Sequence, residues 1–316
     1  MPAVDDARGN LVAAGAVLLA VAVAMLDIRL NRSWANGVHF IVDGATFAFV
    51  FVGLALRSPI RERPLAYQST LALTGLALLV LVLDRLARIL GADQPFSTSG
   101  SVMWMAAIFA LVAAFAARRF WSLGCAVLAG LGVAAFVLAF IDWAFDPKGV
   151  TTFRWVLLVL VLGFAAYAAS ARGDGDRAGY TTPAVDVAGL LLIGLAATFV
   201  VTAIAAAINP LSALEGVAFD AGFGWKAVLI VGSLGVVAYG ALSRERGPGW
   251  IGFVALLITI VIVANPTAGD RTVVGWPLVI LLAAGAVLAA GLRDGGAGRD
   301  TRRTPREPRS PAPPAV

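Results

Sequence analysis

His39, the only histidine in the 316-residue chain, stands four residues before Asp43 in the apolar stretch GVHFIVDGATF, Gly37 to Phe47. At helical spacing the two side chains share a face, one turn apart. The pair suits proton handling, because imidazole exchanges a proton near neutral pH and a carboxylate in apolar surroundings can hold one. The plainer alternative is a polar cap at a helix end, packed against a basic neighbour. Asp43 lies about 6 Å beyond His39 along the helix axis. At that depth it needs a partner, and Arg85, Arg88 and Arg154 are the candidates.

Other ionisable residues fall at the ends of apolar runs. Asp27, Asp84 and Asp142 each stand where such a run finishes, in AMLDIRLNR, LVLDRLARI and AFIDWAFDP. Together with His39, Asp43, Arg85, Arg88 and Arg154 they make a candidate polar cluster on one membrane face, expected to be the outer one. Acids and bases nearly balance there, which fits mutual pairing and gives no strong electrostatic funnel. Such a cluster is either a vestibule for a polar group or a set of charge pairs joining helices. Glu215 and Asp220 sit in the longest outer loop. Between the ends only Thr74, Thr198, Thr202, Thr259, Ser233, Tyr167 and Tyr239 are polar. Coupled carriers usually place an acid or a broken helix near the midplane; neither is evident, and Pro210 and Pro266 at helix ends leave broken-helix geometry open.

Soluble-enzyme motifs are missing: no phosphate-binding glycine loop, dinucleotide fingerprint, HExxH or nucleophile elbow occurs. One histidine and one cysteine, Cys125, leave no basis for a histidine-rich or cysteine-rich metal site or a disulfide. No cofactor, metal or catalytic residue is expected, and the chain reads as a non-enzyme.

The elements that must position these residues follow from composition. Hydrophobic residues make up 60% and charged residues 14% of the chain, with a mean hydropathy of +0.88. Soluble domains carry about 25% charged residues. Continuous runs such as LVAAGAVLLAVAVAML from Leu11 suit the bilayer core, and their lack of alternation argues against a barrel. The N-terminus has two acids and one arginine and no cleavage site, so the first run is expected to be retained rather than removed as a signal peptide. The fold class is therefore all-α, a polytopic transmembrane helical bundle of about ten spans.

The expected spans are Leu11–Leu26, Val38–Leu56, Leu65–Leu83, Ser101–Ala117, Ser122–Ile141, Thr152–Ala171, Val185–Ile208, Trp225–Leu242, Trp250–Ala264 and Val273–Leu292, the ninth being the shortest. Residues 1–10 form a short cytoplasmic N-terminus, 11–292 the transmembrane domain, and 293–316 a basic, proline-rich cytoplasmic tail expected to be disordered. Arg57, Arg61, Arg63, Arg118, Arg119, Arg172, Arg177, Arg244, Arg246 and the tail arginines fall on one side. By the positive-inside rule both termini are cytoplasmic.

Aromatic residues Phe40, Trp104, Trp155, Trp225 and Trp276 open the even-numbered spans, and arginine closes each about 17 residues later. This rhythm and the three aspartates suggest five tandem helical hairpins, although aromatic belts and the positive-inside rule alone can generate it. Gly130, Gly132, Gly189, Gly194, Gly232 and Gly235 would let helices approach closely.

The expected partners are the lipid bilayer, with anionic lipids at the tail and an oligomer both open; nucleic acid is excluded despite the basic pI. The high arginine, alanine and glycine content suggests a bacterial cytoplasmic membrane. Length and span count resemble drug/metabolite-type carriers, but that family's proline- and glutamate-bearing motifs are absent. Three functions remain: a structural or accessory membrane protein, a permease for a small or lipophilic solute, and an enzyme acting on a lipid headgroup through Asp27, Asp43 or Asp142.

Overall fold

The computed structural model describes residues 2–31, 33–57, 66–171, 178–208 and 221–264. Contacts divide the chain into Met1–Ile262 and Val263–Val316, and the first unit carries the site. Among the described residues there are nine α-helices and no strand: α1 (Pro2–Leu30), α2 (Asn36–Phe47), α3 (Ala66–Ile89), α4 (Ser99–Phe120), α5 (Leu123–Phe145), α6 (Val150–Ala171), α7 (Thr181–Ile208), α8 (Phe223–Ser243) and α9 (Arg246–Ala264). Eight of them, α1 to α8, are long and apolar enough to cross a membrane, α2 through its continuation to Ala55. The apolar part of α9, Arg246–Ile262, is shorter. The expected span Val273–Leu292, the tail, and Glu215 and Asp220 lie outside the described residues.

Several helices outrun the apolar stretches that announce them. α1 begins at Pro2, inside the expected N-terminal segment, and α3 continues past Leu83 to Ile89. That extra turn of α3 holds Asp84, Arg85 and Arg88, so these are helical side chains and not loop residues. Large apolar side chains cover the outside: Leu18, Ile28, Leu111, Val159, Val231 and Leu242 are all exposed, Leu242 to 81%. Lipid, being as apolar as leucine, tolerates this, so helix association depends on close packing. The interior of α4 is accordingly small, with Ala106, Ala110, Ala113, Ala116 and Ala117 buried.

Two apolar cores result. Helices α1–α5 surround α3, whose Leu71, Ala72, Leu76 and Leu79 are buried. Helices α5–α9 surround α7 through Val187, Leu191, Leu192 and Leu195. The closest pairs along the chain are α4 with α5, α6 with α7, and α2 with α3. The expected hairpins paired α1 with α2, α3 with α4 and α5 with α6; the tight pairs are displaced by one helix. Two of the joins at the arginine-rich end are short turns. Trp121 (φ 49°) joins α4 to α5, and Arg244 (φ 59°) joins α8 to α9, each in the left-handed region that ends a helix abruptly. Ser122 then caps α5 by accepting from the Cys125 N–H.

The second span also departs from regular geometry. From Ala48 to Ala55 the helix widens to i→i+5 hydrogen bonds, closed by Leu56 N–H donating to the Phe51 carbonyl at 2.9 Å. The wider turn sets Val50 and Ala55, five apart, both into the core. Phe51 stacks on Phe47 and lies against Gly75 of α3, where a Cβ would stand 2.6 Å from the ring.

Of the glycines expected to bring helices together, Gly130, Gly132, Gly189 and Gly232 do so, while a Cβ on Gly194 or Gly235 would meet nothing within 4 Å. The tightest approach is one the sequence reading passed over. A Cβ on Gly240 of α8 would stand 2.5 Å from the Gly249 nitrogen of α9, and one on Gly252 would stand 2.6 Å from the Val237 nitrogen. Backbone cannot yield as a side-chain tip can. Gly240→Leu and Gly252→Leu are expected to lower stability by about 1–3 kcal/mol or more, the usual cost of overpacking. Gly235→Ala is expected to be neutral or to add up to about 1 kcal/mol through helix propensity. Thermal unfolding of the detergent-purified variants would check both.

Candidate functional site

Helix alternation brings the end of α1, the start of α2 and the end of α3 together. Asp27, in the last turn of α1, takes a two-pronged fork from Arg85 of α3: Nε donates to Oδ1 at 3.0 Å and Nη2 to Oδ2 at 2.7 Å. The remaining nitrogen, Nη1, donates to the side-chain oxygens of Asn31 at 2.9 Å and Asn36 at 3.3 Å. Those asparagines flank the α1–α2 turn, so one guanidinium ties three helix ends. Arg85 is 3% exposed.

His39 enters the same knot from α2. Its Nδ1 is 2.7 Å from Asp27 Oδ1, its Nε2 is 3.3 Å from the Leu30 carbonyl, and its ring lies 5.5 Å from that of Trp34. A carbonyl only accepts, so Nε2 carries hydrogen in that contact. Both Asp27 oxygens also accept from Arg85, so one carboxylate is shared between the guanidinium and the imidazole ring.

Asp43 lies one turn further along α2, 1% exposed, and its Oδ2 has no hydrogen-bond partner. Its charged neighbours are Asp27, Arg85, His39 and Asp84. The partner expected from Arg85, Arg88 or Arg154 is not supplied. Arg85 spends its donors on Asp27, Asn31 and Asn36, and Arg88 holds Asp84 within α3 at 2.9 Å and the Asp93 carbonyl at 3.2 Å. Arg154 bonds to α7 instead.

Asp27, Asp43 and Asp84 against Arg85 and Arg88 leave a formal charge of −1. One further proton in the cluster would make it neutral.

Two predicted site residues lie elsewhere. Asp142 of α5 accepts a short hydrogen bond from the Ser99 hydroxyl at the start of α4. It is not part of the cluster. Arg154 forms a separate knot with Thr198 and Thr202, in the second half of α7. Asn31 and Asn36 were missed; only their position in the α1–α2 turn, opposite an arginine with five donors, could have suggested them. Among the described residues no group of three His, Cys, Asp or Glu side chains is placed to hold a metal ion.

Near the cluster, a cavity of about 300 Å³ lies between α3, α4 and α5. Val80 and Leu83 of α3, Phe96, Met105, Phe109 and Leu131 form much of its wall. It runs from Phe96, before α4, to the middle turns of α4 and α5, and Leu83 precedes Asp84 and Arg85 on the same helix. The chain matches no family model, no curated protein and no solved structure, so its function is argued from this geometry.

Arg85→Met leaves Asp27 buried with only His39, and a loss of about 3–5 kcal/mol in stability is expected, the usual effect of breaking a buried pair. Asp27→Leu with Arg85→Met should recover part of that loss, because no charge is then stranded. Thermal unfolding of the single and double variants reads the coupling; additive losses would show that the fork is not a unit.

Proposed function

We propose that this chain is a permease for a small lipophilic solute, driven or gated by proton occupancy of the His39–Asp43 pair. Its setting in this reading is a bacterial cytoplasmic membrane, crossed about ten times with both termini inside. Eight apolar helices and the arginine-rich turns at one end support that setting. The single observation that carries the function is Asp43: a buried carboxylate beside other charged groups, one oxygen unpartnered, a helical turn from His39. Intramembrane ionisable groups are costly and usually mark proton or solute paths.

The apolar cavity supports the solute class. Its lining offers dispersion contacts and almost no hydrogen bonds, and about 300 Å³ is at the lower end of small-molecule sites. α3 connects the two features, since Val80 and Leu83 wall the cavity while Arg85 anchors the cluster. A proton shift that frees His39 from Asp27 or Leu30 loosens α2 against α1, and α3 moves with the fork.

A second reading, a structural or accessory membrane protein, is favoured by the other outer-end groups, which are closed: Asp84 on Arg88 and Asp142 on Ser99. The lipid-headgroup enzyme draws least support, because Asp27 is fully engaged by Arg85 and His39, Asp142 by Ser99, and Asp43 is buried.

In proteoliposomes, native protein is expected to pass small fluorescent apolar dyes faster under an imposed pH gradient. Asp43→Asn should abolish the gradient's effect, and His39→Gln should weaken it. Ala106→Phe, which fills the cavity without touching the cluster, should stop flux at all pH values. Folded native protein indistinguishable from empty liposomes would leave the accessory reading. For orientation, a Cys125→Ala background with Arg57→Cys should label only from the cytoplasm and with Lys148→Cys only from outside; the reverse pattern overturns the topology.

A further inference from the structure

Arg154, the fifth residue of α6, reaches across to the last turns of α7. Its Nε donates to Thr198 Oγ1 at 3.1 Å, and its Nη2 donates to Thr202 Oγ1 at 3.1 Å and to the Thr198 carbonyl at 3.4 Å. The guanidinium carbon sits 3.7 Å above the Phe199 ring. Both threonine hydroxyls spend their own hydrogens on the α7 backbone, Thr198 on the Leu195 carbonyl at 2.7 Å and Thr202 on the Thr198 and Phe199 carbonyls at 2.9 Å. Their lone pairs are thereby turned to the arginine.

Every one of these partners is neutral. An arginine has five N–H donors; three are used, and the two on Nη1 have no partner among the described residues. No described acid pairs with this guanidinium, although the side chain is only 8% exposed. A buried cation without a counter-charge is costly, and here the surroundings fix its orientation without neutralising it. Trp155, the next residue, is 56% exposed, and its ring lies 5.0 Å from that of Trp225, which in turn lies 5.9 Å from Phe199. An exposed tryptophan at a helix start marks the headgroup level of a bilayer. The two N–H groups left on Nη1 can donate charge-assisted hydrogen bonds to a phosphate oxygen.

We infer that Arg154 is the centre of an oxyanion site that takes a phosphate-type anion on Nη1, with Thr198 and Thr202 holding the fork and Phe199 backing it. The site stands apart from the His39–Asp43 cluster and does not depend on the transport reading. The same chemistry is offered by a lipid phosphodiester at headgroup depth and by free phosphate.

Protein purified in a phosphate-free maltoside detergent distinguishes them. Inorganic phosphate, short-chain phosphatidylglycerol and a phosphate-free diacylglycerol are added separately, and the melting temperature and bound mass are read. A saturating ligand should raise the melting temperature by about 3 °C or more and add one adduct per chain. A response to phosphatidylglycerol alone assigns a lipid headgroup; a response to inorganic phosphate as well assigns the free anion. Arg154→Gln should lose the response, and Arg154→Lys, which keeps charge but not the fork, should weaken it about tenfold. If Arg154→Gln does not fold, the lysine variant carries the comparison. No response to either phosphate source, or an undiminished one in a folded variant, overturns the site.

Discussion

A carboxylate gripped by both prongs of an arginine, away from water, is the contact on which the outer end of the first core depends. Asp27 and Arg85 neutralise each other across α1 and α3, and only with that charge settled can the rest of the knot assemble. Arg85 then has a nitrogen to spare for Asn31 and Asn36, which fixes the α1–α2 turn. Fixing that turn presents His39 to the oxygen of Asp27 and the carbonyl of Leu30. An apolar trio of similar volume would often hold three helices at least as well, because burying ions costs more than their attraction returns unless every partner is in place. Stability alone is thus a weak reason for the arrangement.

Much of the architecture was legible because the bilayer imposes it. Apolar runs of about twenty residues announce helices, and the described helices α1 to α9 correspond one for one to the first nine expected spans. Their ends were less legible, since hydropathy sees where lipid stops and not where hydrogen bonding stops. α3 runs on to Ile89 because Asp84 and Arg88 pair within the helix, one turn apart, and Arg85 finds an acid across it. A window that scores charge as loop loses that turn.

The candidate site was legible by residue type and illegible by partner. Asp27, Asp84 and Asp142 look equivalent in sequence, yet one is shared between arginine and histidine, one is held within its helix and one meets a serine. Local spacing could suggest only the second of these. The others depend on which helices are neighbours, and that was set by features with little sequence signature: the alanine-lined meeting of α4 with α5, and the glycine contact of α8 with α9. The widened turn from Ala48 to Ala55 had no local warning either. It exists because Phe51 and Val50 both find room in the core, Phe51 over the bare Cα of Gly75.

The two cores differ at the same end of the bundle, and the difference is electrostatic. Around α3 the ionisable groups close on one another to within a single proton. Around α7 a cation is held by hydroxyls, a carbonyl and a ring, and no acid among the described residues pairs with it. Both are helix-end arginines reaching to a neighbouring helix, so the type of residue does not separate them; the supply of acids does. A guanidinium that meets a carboxylate is consumed by structure, whereas one that meets only dipoles is positioned but not spent. Charge left over in a fixed place near the membrane surface is the physical form that recognition of an anion takes. By the same reasoning, the unpartnered oxygen of Asp43 is the counterpart in the first core, a fixed acceptor.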